Sequence, residues 1–145
     1  MESGRLKVRE AVGLNLIKTE KINYRIMENG IAKKSLDFAI RVVNVYKHLS
    51  QNKSEYVLSK QLLRSGTAIG ALVSEAEHAQ SKPDFLNKMN IALKEANETK
   101  YWLTLLKETD FLTEAEFTSL QEDAVSLVKI LASIVKSTKQ NLGRL

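Results

Sequence analysis

Residues 57–80 read VLSKQLLRSGTAIGALVSEAEHAQ, and their spacing decides the fold. Leu58, Leu62, Ser65, Ile69, Leu72, Ala76 and Ala79 recur at alternating steps of four and three, which keeps them on one side of a helix. Leu63, Gly66, Gly70 and Val73 form a second helical line beside them. Two glycines inside a helix cost roughly 1 kcal/mol each relative to alanine. A helix that carries both recovers this by letting another backbone come close. Ser65, Thr67, Ala68 and Ala71 keep the same region slim. The stretch therefore predicts a central, closely packed helix, with Gly66 and Gly70 as its packing positions.

Working outward, Phe38, Val42, Val45 and Leu49 make a stripe that predicts a helix over 32–51, with Leu36, Ile40, Val43 and Tyr46 widening it. Ser54 is the expected N-cap of the central helix, with Glu55 favourable in its first turn. On the other side, Ser81-Lys82-Pro83-Asp84 stops one helix and caps the next, because proline cannot continue a helix but fits a first turn. Phe85, Met89, Ala92, Ala96, Thr99, Leu103 and Leu106 then run four-three spaced. Thr113-Glu114-Ala115-Glu116 is a capping box for a last helix carrying Phe117, Leu120, Ala124, Leu127, Leu131, Ile134 and Thr138. Val125, Val128 and Val135 form a second apolar line on it. Four helices with short connections pack as an antiparallel up-down-up-down bundle, so the chain is read as all-α. Residues 1–31 lack this pattern and are read as an irregular N-terminal arm or extension, and 32–145 as the bundle.

The chain has 145 residues, no cysteine and a net charge of +5. A domain of this length can bury about 68–70% of the surface its unfolded chain exposes, so it needs no covalent staples. Without cysteine there are no disulfides and no thiolate metal sites. The charged start lacks a signal-peptide core, and no apolar run is long enough to span a bilayer. A cytoplasmic protein that does not enter the membrane is expected.

Chemistry is sparse. The glycines at 66 and 70 lie in a helical pattern and are not followed by the lysine of a phosphate loop. No serine sits in a nucleophile elbow. There are only two histidines, His48 and His78. His48 is placed to interact with a helix C-terminus. Glu75-x-x-His78 matches half of a di-iron carboxylate motif, whose side chains face into a bundle. No second copy exists, and Glu95 and Glu98 are the remaining candidate ligands. No cofactor is expected, and a metal-binding carboxylate bundle is the third of three readings. The cations are more informative. Lys129, Lys136, Lys139 and Arg144 follow one another without an intervening acid, and Lys60 and Arg64 lie one turn apart. With few aromatics between them, they suit phosphate contacts without base readout. Of Tyr101 and Trp102, which cannot both face one core, Trp102 is expected at a surface that an oligomer covers.

Gln61-x-x-Arg64-Ser65, Ala68-Ile69-Gly70-Ala71-x-x-x-Glu75, Phe85 and Glu98-Thr99-x-x-Trp102-Leu103 together resemble the S23-like proteins. These are a bacterial four-helix-bundle family first noticed as reading frames within 23S ribosomal RNA intervening sequences. The chain is similar also to the accessory variability determinant of diversity-generating retroelements. The resemblance covers about residues 33–140, and because members of that family begin shortly before the first helix, it implies a start at Met27, with residues 1–26 an upstream extension or a misassigned start. It implies a homopentamer without catalytic activity, and in the retroelement relatives a basic surface that binds nucleic acid and a reverse transcriptase. Arg64 and Glu75 match motif positions, with implied roles in packing and subunit contacts. Where the family often continues with Gly-x-Gly-Arg, this chain reads Glu77-His78-Ala79-Gln80. Five copies at +5 would carry +25, a substantial field. The leading reading is thus a non-enzymatic, homo-oligomeric bundle, expected as a pentamer, that presents a weakly basic surface to RNA, DNA or a nucleic-acid enzyme such as a reverse transcriptase. The second is a protein-binding structural oligomer with no nucleic-acid role.

Overall fold

The computed structural model describes residues 30–143. It contains α1 (Ile31–Asn52), α2 (Leu58–Glu77), α3 (Lys82–Glu108) and α4 (Glu114–Gly143), with no strand among the described residues. The bundle forms one compact unit from Ile31 onward. The N-terminal arm, apart from Gly30 and Ile31, lies outside the described residues, as does Met27, the start expected for the bundle. No described helix is long and apolar enough to cross a membrane.

The antiparallel order can be followed contact by contact. Gly66 of α2 lies against Val42 of α1, and Gly70 against the earlier Ser35. Arg64 pairs with Glu95 and Glu98 of α3, whereas Glu75, further along α2, pairs with the earlier Lys88. Arg41 of α1 reaches Ser119 and Asp123 of α4, and Lys34, nearer the start of α1, shares a groove with Lys129. Each helix packs extensively on the next, while α1 and α4 meet over much less of their length. At 1.5 Å per residue, the 30-residue α4 outruns the 22-residue α1. Its last turns continue past the level of Ile31.

The core lies along the expected stripes. Phe38, Leu62, Ile69, Met89, Leu103, Leu106, Leu127 and Leu131 are fully enclosed. The two glycines differ in what they face. A Cβ on Gly70 would sit 3.4 Å from the Ser35 carbonyl oxygen, so a backbone does approach there. A Cβ on Gly66 would stand 2.8 and 2.9 Å from the Val42 methyls, so there a side chain fills the space. On the other flank of α2, Thr99 donates its hydroxyl to the Ser65 hydroxyl at 2.9 Å, inside the core.

Both capping motifs read downstream of α2 are formed. Asp84 donates its N–H to the Ser81 hydroxyl at 3.2 Å. The Thr113 and Glu116 side chains each accept from the other's backbone N–H, at 3.2 and 3.0 Å. The start of α2 is different from the expectation. Ser54 has φ of 53°, a left-handed conformation that ends α1 and cannot serve as an N-cap. Its neighbour Glu55 does the capping. The buried carboxylate accepts from the backbone N–H groups of Leu58 at 2.8 Å, Ser59 at 2.7 Å and Val57 at 3.1 Å. Burial raises the Glu55 pKa, but these donors outweigh it and hold the carboxyl below its ordinary value.

Two further expectations are corrected. Leu36 and Ile40, read as widening the α1 core stripe, are 59% and 51% exposed. The adjacent aromatics are reversed: Tyr101 is 59% exposed and Trp102 is half-buried, edge-on to it at 5.1 Å.

Candidate nucleic-acid interface

The cations picked out along the chain do not form a single surface. Lys129 and Lys136 lie two turns apart on one face of α4, since seven residues are nearly two full turns, and Lys139 follows, also exposed. Arg144 lies outside the described residues. Lys60 is exposed near the start of α2, at the opposite end of the bundle from Lys34. Lys34, Lys60, Lys129, Lys136 and Lys139 have no ion-pair partner among the described residues.

Arg64 is committed elsewhere. Its guanidinium donates to Glu95 at 3.2 Å and to Glu98, and its Nε donates to Gln61 at 3.2 Å. The two carboxylates respond oppositely. The hydrogen bond from Arg64 pulls the Glu98 carboxyl below its ordinary range. Burial, and then the neighbouring Glu98, push Glu95 up against the attraction of Arg64. Trp102 lies close enough to add slightly to the lowering of Glu98, yet its enclosed indole N–H makes no well-aligned hydrogen bond. This cluster ties α2 to α3.

The di-iron geometry is not formed. Glu75 is exposed and pairs with Lys88 at 3.3 Å, and His78 is the exposed residue that closes α2. Neither faces inward. Among the described residues no three His, Asp or Glu side chains are grouped to hold a metal ion. His48 sits in the last turns of α1, where its Nδ1 is 2.8 Å from the Asn52 amide nitrogen.

The open seam between α1 and α4 brings together residues that the sequence leaves far apart. Beside it a groove of about 530 Å³ runs along α4, with Phe117, Val125 and Ile130 as apolar lining, Lys129 as a cation from α4 and Lys34 as the one from α1. Glu122 is the single acidic residue in that lining. Gln121 belongs to the same lining, and its carbonyl oxygen is enclosed and has no hydrogen-bond partner among the described residues. One side of the Phe117 ring carries the Lys107 ammonium, 4.7 Å from its centroid. A second hollow of about 310 Å³ lies toward the other end, between Arg41, His48 and Glu116. There Thr113 lowers the Glu116 pKa through its backbone N–H and hydroxyl, with smaller help from His48 and Lys53. Arg41 straps the seam by donating to the Ser119 carbonyl at 3.3 Å, the Ser119 hydroxyl at 2.8 Å and Asp123.

The sequence model of the 23S rRNA-intervening sequence protein family matches residues 27–133. The chain belongs to that family. It is also similar to a crystal structure from Bacteroides thetaiotaomicron, described as a protein of unknown function from the S23 ribosomal protein family. The two are 55% identical and superpose with a TM-score of 0.73, over 74% of this chain and 96% of that one. No protein of curated function matches this intervening-sequence family member.

Proposed function

We propose that the protein is a non-catalytic homo-oligomer, a pentamer, that binds nucleic acid through the lysines at the α1–α4 end of the bundle. One observation carries this reading. Lys34 and Lys129 come from different helices into one groove, with Lys136 two turns beyond, and none of them is neutralised by a described acidic side chain. Arg41, Arg64, Lys88 and Lys107, in contrast, are all paired. Phosphate is the ligand that such unpaired cations favour, and repeating the patch around a ring multiplies its field. Self-association is supported by Leu36 and Ile40, one turn apart and more than half exposed on α1, because paired large apolar side chains in water favour a covered face.

The test is binding of a structured RNA and a DNA duplex across a salt series, with native mass spectrometry on the same sample. Affinity should fall linearly on a log–log plot, by about 0.9 per phosphate contact on duplex DNA. Replacing Lys129, Lys136 and Lys139 together by alanine should flatten that slope. Absence of binding near ~50 mM salt, where such contacts are strong, would leave a protein-binding scaffold. A monomer in the mass spectrum would remove the ring.

A further inference from the structure

We infer that two copies of this chain pair through α4, antiparallel about a twofold axis between Val125 and Ser126, with Glu122 of each copy against Lys129 of the other. This contact goes beyond the ring proposed above, which draws on the Leu36–Ile40 face of α1.

The larger groove is the outer face of a single helix. All of its lining but Lys34 comes from α4, between Phe117 and Ile130, a run of about 20 Å at 1.5 Å per residue. Such a face has one wall in the single copy, and a second helix laid along it supplies the other. The charges say which helix. Glu122 and Lys129 both belong to the lining, and neither has an ion-pair partner among the described residues. Asp123, the other charged residue in that interval of α4, is already held by Arg41. Seven positions are nearly two turns, so Glu122 and Lys129 share a face, roughly 10 Å apart along the axis. An acid and a base so placed are their own complement when the helix meets a reversed copy of itself. Turning that copy about the point midway between them sets Glu122 opposite Lys129 twice over, whereas a parallel copy in register would oppose like charges. Lys34, at the rim beside Lys129, gives the incoming Glu122 a second cation. The residues at the axis, Val125 and Ser126, are both half-exposed in the single copy, so pairing removes the Val125 side chain from water. In this register Thr118 falls opposite Ser133, and neither is bulky enough to hold the helices apart. Lys129 then has two competing uses, the carboxylate of a second copy and the phosphate of the nucleic-acid reading, and the paired form is the one that cannot bind phosphate through it.

The experiment is sedimentation velocity of the full chain at low salt, where the charge pairs are least screened. The wild-type assembly should hold an even number of copies. Glu122→Lys, which brings lysines face to face across the axis, should weaken the contact at least about tenfold and halve the assembly mass. Lys129→Glu should do the same by opposing carboxylates. Mixing the two variants in equal amounts should restore the full mass, because each then meets its complement, and that recovery also shows that both fold. An odd-numbered wild-type assembly, or a Glu122→Lys mass equal to that of the wild type, overturns the inference and leaves the ring standing. So does a mixture that stays at half the mass while each variant keeps wild-type helicity by circular dichroism. A wild-type chain that sediments as a monomer overturns the inference and the self-association reading together.

Discussion

The two flanks of α2 and the seam between α1 and α4 are built on opposite plans. On α2 everything is close: Gly66 against Val42, Gly70 against the Ser35 backbone, Ser65 bonded to Thr99, and Arg64 held by two carboxylates. Between α1 and α4 there are a hollow and one arginine strap, and a larger groove runs beside them along α4. Arg64 and Lys88 on the closed side are neutralised, whereas Lys34 and Lys129 in the larger groove are not. Tight packing leaves no room for a ligand, so the rigid half of the bundle supports the fold and the loose half is available for binding.

The sharpest way to break this contrast is at Gly66. Gly66→Leu would drive a side chain into the fully buried Val42, whose β-branched stem has few rotamers to escape into. A loss of about 3 kcal/mol, even after the gain in helix propensity, is expected from the urea midpoint. Gly70→Ala is the control. Its new Cβ makes near-ordinary contact with Ser35, so stability should hold or rise by up to about 1 kcal/mol. A similar loss at both positions would show that α1 and α2 cannot shift at all.

Next in size is Glu55, which starts α2. Glu55→Ala strips the acceptor from the three N–H groups of Val57, Leu58 and Ser59, at a cost of about 2 kcal/mol. The pH dependence has a definite sign. The folded pKa lies below the unfolded value near 4.5, so the stabilisation is complete above that value. It is lost as the pH falls through the folded pKa. Thermal melts should therefore show the wild type converging on the variant in acid; parallel curves would dissociate the cap from its charge.

The smallest effect is expected on the open side. Arg41 and Asp123 are 40% and 47% exposed, and pairs this wet contribute about 0–1 kcal/mol. Arg41→Ala should lower the urea midpoint only slightly. A loss as large as that of Gly66→Leu would mean that the strap, and not α2, holds the bundle shut.

The helices were legible because their signals are local. Thr113 and Glu116 form the reciprocal cap that their spacing announces, and the run from Met89 to Leu106 is buried as its period requires. Ser54 misled because serine is a favoured N-cap, and only the left-handed turn after α1 reveals that it lies one residue too early. Leu36 and Ile40 misled because periodicity gives the direction of an apolar face and not how much of its arc neighbours cover. The groove had no signal at all. Lys34 and Lys129 are 95 positions apart, and Gln121 looks like any other helical glutamine until its carbonyl is found enclosed. Long-range juxtaposition and a missing partner are properties of the folded chain alone.

The overhang of α4 beyond the start of α1 has a consequence for how this protein can change over time. Up to about residue 133, where the family match also stops, a substitution on α4 must satisfy α1 as well as α3. Beyond it α1 no longer runs alongside among the described residues, and Val135 is the last buried residue of the helix. The end of the helix is thus the part of the bundle where charge, length and sequence can drift most freely while the fold is inherited unchanged.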